Sequence, residues 1–233
     1  MVNFSHKSQH LGIAIKHFNM LICINEHGSF MQIQKDDIRK KVLTAAREEF
    51  LNKGFKDSNM RTIAKKSKVG LSNIYNYFKD KNEIFIEVLA PLTNELDKLM
   101  LEHNNPKNIT IDYFTSDKHQ IKHINQYLEL IINYKDELNL LFFKSYGSSF
   151  ENFRDEYTDR HSKAGVEYIE KMKEKYPYIN SDISEFFLHT MSSWWFSIIG
   201  EIVSHDLSNE VIKKFISEFM EFGTAGWKKI MNV

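Results

Sequence analysis

The sequence is poor in the residues that cross-link or turn a chain, with one cysteine, three prolines and nine glycines among 233 residues. The lone Cys23 excludes a disulfide framework and a cysteine-based zinc cluster, and it fits a reducing compartment, so we expect a cytoplasmic protein. So few glycines and prolines leave little turn chemistry for a many-stranded sandwich or barrel. No run of about eighteen apolar residues occurs, so we expect no membrane partner. Stretches rich in Leu, Ile, Lys and Glu instead predict an all-α protein.

The net charge of zero conceals two segments of opposite sign. Between Lys35 and Asn82 there are 13 Lys and Arg residues against six Asp and Glu residues, whereas from Glu83 onward there are 16 against 24. A short basic segment joined to a longer acidic one indicates a module that binds a polyanion, attached to a part that does not. Basic surface can also be merely solvated, so this interpretation needs the support of a motif.

Hydrophobic spacing divides the chain into three parts. Residues 1–34 contain short, interrupted apolar clusters, and we expect a poorly ordered N-terminal extension, with Met31 as a candidate alternative start of translation. Residues 35–82 contain three short helical patterns and form the first expected domain. Residues 83–233 contain longer amphipathic patterns and form a larger helical domain.

Apolar residues at steps of three or four predict the individual helices. In the first helix they recur from Ile38 to Phe50, and Gly54 stands where that helix would stop. A long helix opens at Lys81 and contains Pro91, which lacks an amide hydrogen and should bend the helix. Five further helices are expected over residues 117–134, 136–146, 149–175, 182–204 and 209–231.

Residues 59–78 have the layout of two short helices joined by a tight turn. Ala64 supplies the small side chain that steeply crossing helices need where they touch, and Ile63, Val69 and Ile74 supply apolar contacts around the turn. The second helix should expose groups suited to base edges and phosphates in a major groove: Leu71, Ser72, Asn73, Tyr75 and Asn76. Positive side chains should surround them: Lys65, Lys66, Lys68, Lys79 and Lys81. The pattern predicts a helix-turn-helix that binds double-stranded DNA, with Lys79 among its contacts.

Four stretches in this order, AAREEFLNKGF, IAKKSKV, IYNYFKDK and EIF, carry a family resemblance. Over Ile38–Leu89 the chain resembles the DNA-binding domain of the TetR family of bacterial transcriptional regulators. The contacts that the resemblance implies are Ser58, Asn59 and Lys81 to phosphates, Arg61 to a base or phosphate, and Asn73, Tyr75 and Asn76 in the groove. Helical spacing adds that Tyr75 is exposed while Tyr77 and Phe78 face the first helix.

Three positions depart from the family pattern. Lys68 occupies a turn position where glycine is usual and a left-handed backbone is expected, at a cost of about 1 kcal/mol. Gly70 replaces the usual serine cap of the recognition helix, and Ser72-Asn73 replaces Gly-Thr. We expect the fold to be retained and the base contacts to differ.

Aromatic residues are dense after residue 113. One interpretation is a pocket for a small apolar or aromatic inducer, with a polar rim that includes His161, Arg154 or Asn152. The other is an ordinary core with a dimer interface. The residues expected to line the pocket are Phe142, Phe143, Tyr146, Phe150, Phe153, Tyr157, His161 and Trp194.

The last two helices are the expected dimer interface, because the family resemblance implies a four-helix bundle formed with a second copy. The interface residues would be Trp195, Ile198, Ile202, Ile212, Phe215, Phe219, Phe222, Gly223 and Trp227. Gly223 and Gly226 would allow helices to approach closely. A homodimer also gives two recognition helices, which can read a palindrome.

Recognisable catalytic patterns are missing from the sequence. It has no Gly-x-Ser-x-Gly, no glycine-rich phosphate loop and no His-Glu-x-x-His, so we expect neither an enzyme nor a cofactor. His119 and His123 lie one turn apart, a spacing that can hold a metal, but isolated pairs are more often surface residues and we expect no metal site.

The sequence as a whole therefore predicts a homodimeric transcriptional repressor, released from a palindromic operator by a small apolar or aromatic ligand. The alternative is a DNA-bound architectural or protein-interaction factor without ligand control. That alternative would require a completely filled C-terminal interior.

Overall fold

A computed structural model describes residues 35–233, with the side chains at positions 117, 120 and 123 outside the description. Within these residues every regular element is helical, which confirms the all-α prediction. The extension expected at residues 1–34 lies outside the described part of the chain. None of the described helices is long and apolar enough to cross a membrane.

Ten α-helices follow one another along residues 35–233. Their bounds are 35–57 for α1, Met60–Ser67 for α2, Leu71–Ile74 for α3, Lys81–His103 for α4, Asp112–Thr115 for α5, Asp117–Asn133 for α6, Lys135–Phe143 for α7, Phe153–Lys175 for α8, Glu185–Ser204 for α9 and Asn209–Met231 for α10. A short 3₁₀ turn, Pro106–Asn108, precedes α5. The bounds expected for α10 are confirmed, and α6 ends one residue earlier than expected.

Serine hydroxyls explain why α8 and α9 begin later than expected. Ser145 and Ser148 donate to the carbonyls of Leu141 and Ser145, at 2.8 and 2.6 Å, and so hold the segment before α8 in turns. Serine favours such local bonds over a helix interior. Ser184 accepts the amide hydrogen of Phe187 at 3.2 Å and caps α9 at its first residue.

The predicted recognition helix is shorter than expected. It is α-helical only over Leu71–Ile74, and the chain then tightens, with the amides of Asn76 and Tyr77 donating to carbonyls three residues back at 3.1 and 2.9 Å. Gly70 gives the helix no side-chain cap, as expected. The helix is therefore one turn followed by a 3₁₀-like continuation.

The apolar contacts of the helix-turn-helix module, α1–α3, agree with the sequence pattern. Ile63, Val69 and Ile74 are buried around the turn, and Lys68 has the predicted left-handed backbone, with φ of 56°. Phe78 is buried and Tyr77 half-buried. The turn therefore holds α2 and α3 against α1.

Helix α4 connects this module to the rest of the protein. Phe85, Leu89, Leu92 and Leu96 recur at steps of three and four and form the buried stripe of this helix. Pro91 lies exposed in mid-helix, where its missing N–H removes one backbone hydrogen bond.

The end of α1 is fastened to the loop after α7. Gly54 has φ of +71°, and the Phe55 amide donates to the Lys144 carbonyl at 2.8 Å. The Lys144 ammonium donates in return to the Leu51 carbonyl at 2.7 Å. Earlier in α1, Arg47 donates to a carboxylate oxygen of Glu137 at 2.6 Å.

Two apolar clusters fill the described part of the chain: a main one that runs from α1–α4 into the later helices, and a smaller one around Met172 and Met231. Helices α8 and α9 pack along each other, and α10 packs on α5 and α6. The Phe187 and Trp227 rings meet at 5.7 Å, which brings the start of α9 to the end of α10. A cavity remains between these helices.

We expect Gly54→Ala to lower the free energy of unfolding by about 1–2 kcal/mol, because a left-handed backbone disfavours a Cβ atom and this one would lie 3.2 Å from the Lys144 carbonyl oxygen. Urea unfolding measures the effect. Gly165→Ala is the matched control, since that Cβ meets nothing within 4 Å and alanine favours the helix. An unchanged stability of Gly54→Ala would contradict the assignment.

A second prediction concerns the hydroxyl of Tyr157, which is buried and donates to the Leu96 carbonyl at 2.6 Å, joining α8 to α4. Tyr157→Phe should lower the free energy of unfolding by about 1 kcal/mol. Tyr178→Phe, at an exposed tyrosine, should have no effect in the same urea titration. Equal stability of the two variants would argue against this bond.

Candidate nucleic-acid interface and cavity

At the start of α2, two of the residues expected to contact DNA are exposed and a third is buried. Asn59 caps the helix by accepting the Arg61 amide hydrogen at 2.8 Å, and both side chains are exposed. Ser58 is only 7% exposed, and its hydroxyl donates to the Phe55 carbonyl at 2.6 Å. Because a hydroxyl has one proton, a phosphate contact by Ser58 would require it to leave the Phe55 carbonyl.

Helix α3 and its continuation form an exposed polar and aromatic face. Ser72 and Asn76 are exposed, Leu71 and Asn73 are half-buried, and Tyr75 is 50% exposed. The Asn76 side-chain amide donates to that of Asn73 at 3.3 Å, which aligns the two along the face. We call Ser72, Asn73, Tyr75 and Asn76 the recognition face.

The lysines around the recognition face divide into exposed and paired side chains. Lys65, Lys68 and Lys79 are exposed. Lys66 instead pairs with Glu48 at 2.8 Å and Glu49 at 3.2 Å, and the hydrogen bond to Glu48 is the main reason that its pKa is raised. Fewer lysines than the sequence suggested are thus available to phosphates.

Lys81 has an intramolecular role that the sequence did not indicate. Its ammonium donates to the carbonyls of Phe55, Lys56 and Ser58, at 2.6, 3.3 and 3.1 Å, and lies 4.3 Å from the centre of the Phe55 ring. Burial lowers the pKa of Lys81. Because an ammonium has three N–H groups, a phosphate contact by this side chain would require it to leave these carbonyls.

Two acidic residues fix the start of α4 beside the recognition face. Asp80 accepts the Glu83 amide hydrogen at 2.9 Å, and Glu83 reaches back to the Lys79 amide. This arrangement resembles a capping box. Arg39 of α1 pairs with Glu87 and donates to the Tyr77 carbonyl at 3.3 Å, so α1 and α4 together hold the chain that follows α3.

A cavity of about 560 Å³ lies between α4, α5, α6, α8, α9 and α10. Its aromatic lining consists of Tyr113, Phe114, Tyr127, Tyr168, Phe187, Trp194, Trp195, Phe219, Phe222 and Trp227. The cavity wall also contains the polar or flexible side chains of His103, His161, Ser192 and Met191. None of the described residues that line it is Asp, Glu, Lys or Arg. The volume is within the range of small-molecule sites.

Only two of the eight expected pocket residues line this cavity, His161 and Trp194. Tyr157 borders a smaller adjoining space. The others lie elsewhere for reasons of packing. Phe142 and Phe143 pack on Gly200, where an added Cβ would lie 3.9 and 3.4 Å from their rings.

The remaining three expected pocket residues serve the core or the surface. Phe150 and Phe153 meet edge to face at 5.8 Å, and Phe153 is buried in the main core. Tyr146 is exposed, with the Lys56 ammonium 4.9 Å from its ring centre. Of the residues considered for the polar rim, Arg154 contacts Ser197 at 3.4 Å and Asn152 is exposed before α8; neither lines the cavity.

The residues expected at a dimer interface lie in different surroundings. Ile198, Ile202 and Ile212 are buried within the chain itself. Five of the set line the cavity: Trp195, Phe219, Phe222, Gly223 and Trp227. Added Cβ atoms at Gly223 and Gly226 would meet nothing within 4 Å, so neither glycine marks a close approach of helices in this chain. Phe215 and Phe222 remain exposed.

Two buried tyrosines outside the expected set of pocket residues, Tyr127 and Tyr168, contribute to the cavity wall. Burial raises the pKa of Tyr127 to about 12, and it also raises the pKa of Tyr168. Tyr168 stacks on His103 at 4.5 Å. Helical periodicity marks such residues only as inward-facing, so it could not distinguish a cavity wall from packed core.

The metal hypothesis gains no support from the described residues, which contain no group of three or more His, Cys, Asp and Glu side chains that could hold an ion. His119 contacts the Ser116 hydroxyl at 3.3 Å, and the His123 side chain lies outside the description.

Comparison with known proteins supports the N-terminal resemblance. Residues 42–88 match the family described as bacterial regulatory proteins, tetR family. The uncharacterized HTH-type transcriptional regulator YhgD of Bacillus subtilis (strain 168) is 36% identical over 70 residues. That match covers 30% of this chain and 37% of YhgD, so the chain spans little more than a third of this relative's length.

Solved structures extend the likeness of fold beyond the module. A TetR-like regulator from Rhodococcus sp. RHA1 has a TM-score of 0.56 at 14% identity, covering 81% of this chain and 96% of its own. NalD, the secondary repressor of the MexAB-OprM multidrug efflux pump in Pseudomonas aeruginosa, has a TM-score of 0.54 at 14% identity, covering 82% and 96%. FadR from Bacillus subtilis, solved with stearoyl-CoA, has a TM-score of 0.53 at 16% identity, covering 78% and 96%. Residues 42–88 thus match the tetR family of bacterial regulatory proteins, and the two-part helical fold of the described chain is similar to that of the solved TetR-like regulators.

Proposed function

We propose that the protein is a sequence-specific DNA-binding repressor that a small uncharged ligand releases from its operator. The DNA-binding part of this proposal rests on the recognition face, which is exposed after a tight turn. The exposed side chains of Lys65, Lys68 and Lys79 flank it. Backbone attraction and base reading then occur at one surface.

The cavity supports the ligand-responsive half. An apolar space of about 560 Å³ inside a helical bundle lowers packing density, and proteins usually keep such spaces for ligands. The structural neighbour FadR was solved with stearoyl-CoA, whose phosphates call for positive side chains. None of the described residues that line the cavity is charged. An apolar or aromatic ligand without phosphates therefore suits the cavity better than an acyl-CoA does.

Helix α4 offers a direct route from the ligand to DNA. Its first residue follows the Asp80 cap beside the recognition face, and its last residue, His103, belongs to the cavity wall. At about 1.5 Å per residue, its 23 residues span about 34 Å. A ligand that displaces His103 would move α4, and the missing hydrogen bond at Pro91 provides a hinge.

The size of this coupling can be stated in free-energy terms. To weaken DNA binding a hundredfold, the ligand must prefer the released conformation by about 2.7 kcal/mol. DNA must weaken ligand binding by the same factor. The ties between α1 and α7, through Arg47 and Lys144, would transmit the same displacement to the module from a second side.

A homodimer would present two recognition faces to the same side of a duplex. Helices α9 and α10 carry the exposed apolar side chains of Phe186, Val211 and Phe215, and two residues of the cavity wall, Trp194 and Phe222, are exposed as well. Such a row favours association with a second copy. The alternative of an architectural factor without ligand control is less well supported, since it predicts a filled interior.

The DNA-binding proposal predicts that Tyr75→Ala weakens binding to the gene's own upstream DNA by about 1–3 kcal/mol, because a base contact is lost. Binding to unrelated DNA should stay within twofold (about 0.4 kcal/mol), since phosphate contacts supply it. Titration of both DNA fragments at several salt concentrations, followed by fluorescence anisotropy, measures the two affinities.

Tyr178→Ala is the matched control for that titration, since this tyrosine is also exposed but lies after α8, far along the chain from the module. It should bind both fragments like the wild type. Equal losses on both DNA fragments for Tyr75→Ala, or no loss at all, would count against a recognition face at α3.

The dimer proposal predicts that Phe222→Glu converts the protein to a monomer, because Phe222 is 66% exposed and a buried carboxylate at the interface is costly. Sedimentation velocity measures the mass. Lys214→Glu, an exposed charge on the same helix, should leave the dimer intact. A wild-type protein that is monomeric at all concentrations would exclude the proposal.

A further inference from the structure

His161 is a histidine of the cavity wall whose two ring nitrogens lie in different surroundings. It lies on α8, and its Nδ1 is 3.0 Å from the Ser192 hydroxyl of α9. Its ring meets that of Phe196 edge to face at 5.8 Å, which fixes the plane of the imidazole. The side chain is therefore held in place rather than free to rotate.

The Ser192 hydroxyl decides which nitrogen carries the proton. It donates its single hydrogen to the Leu188 carbonyl one turn earlier, at 3.0 Å. With its hydrogen on the Leu188 carbonyl, the hydroxyl acts toward His161 as an acceptor, which places the proton of the neutral ring on Nδ1. Burial lowers the pKa of His161, which favours the neutral form.

The other ring nitrogen, Nε2, is consequently an acceptor. It makes no hydrogen bond to a described residue, and the ring lines both the main cavity and the smaller space beside it. Gly165, one turn later on α8, lines the same two spaces, and an added Cβ there would meet nothing within 4 Å. Open space therefore adjoins the ring.

We propose that the cavity selects uncharged aromatic molecules that donate one hydrogen bond, from an O–H or N–H group, to Nε2 of His161. The inference rests on the ligand-binding role proposed above and specifies its chemistry. Aromatic side chains supply contact area for the rings. The described lining residues include no charged side chain, which disfavours an anion or cation. Nε2 discriminates between a donor and its alkylated analogue. His161 is thus the residue that determines specificity.

Three pyrene derivatives test the proposal: 1-hydroxypyrene, 1-methoxypyrene and pyrene-1-carboxylate. All three tryptophans of the chain line the cavity, so energy transfer from tryptophan to pyrene reports occupancy directly. In the full-length wild-type protein at neutral pH, we expect the hydroxy compound to bind about tenfold more tightly than the methoxy compound, the value of one net hydrogen bond. The carboxylate should bind most weakly.

Three variants assign this preference to the proposed atom. His161→Leu should reduce the ratio of hydroxy to methoxy affinity to about one, while His161→Gln, whose amide oxygen can accept, should retain part of it. Ser192→Ala should give an intermediate ratio, because Nδ1 loses the acceptor that fixes its proton. Circular dichroism establishes that each variant is folded.

The proposal is overturned if the wild type does not distinguish the hydroxy from the methoxy compound, if His161→Leu keeps the full ratio, or if the carboxylate binds as tightly as the hydroxy compound. Operator affinity, measured with and without saturating 1-hydroxypyrene, separates this inference from the proposed function. If the wild type prefers the hydroxy to the methoxy compound but its operator affinity does not change, the role of His161 stands. Ligands of this class then do not control DNA binding.

Discussion

The carbonyl groups at the end of α1 are the constraint on which the arrangement of the molecule depends. A helix end leaves backbone carbonyls without partners, and here two lysines from distant parts of the chain supply the donors. Lys144 binds the Leu51 carbonyl, and Lys81 binds those of Phe55, Lys56 and Ser58. The same few residues thus join α1 to α4 and to the loop after α7. Gly54 permits it, because only a left-handed turn brings the Phe55 amide to the Lys144 carbonyl.

Under the proposed function, this junction would couple the orientation of the helix-turn-helix module to the larger helical part. Helix α4 begins at the junction and ends in the cavity wall, while α7 contacts α1 through Arg47 and its two carboxylate partners. A module attached by a single flexible linker would not respond to a change in the cavity. A module that a helix and ion pairs hold on two sides has few ways to move. A small displacement of the larger helical part would therefore change the orientation of the recognition face.

Aromatic residues in the larger part divide into two populations that look alike in the sequence. Phe142, Phe150 and Phe153 fill the core beside α4, whereas Trp195, Phe219 and Trp227 surround open space. From the sequence, the first group was expected to line the pocket and the second to form a dimer interface. Both groups recur at helical spacing, and that spacing reports the side of a helix without reporting what lies opposite. The neighbours across α9 and α10 decided the outcome.

The sequence by itself determined the all-α class, the course of the long helices and the helix-turn-helix, because hydrophobic period, capping residues and turn chemistry are local properties. It also determined the exposure of Tyr75 and the left-handed backbone of Lys68. Only the tertiary structure decided which lysines remain available to phosphates, since Lys66 and Lys81 find their partners on α1 and the residues just after it. It alone decided the cavity and the acceptor nitrogen of His161, because both depend on side chains of different helices meeting in space, which no spacing along the chain encodes.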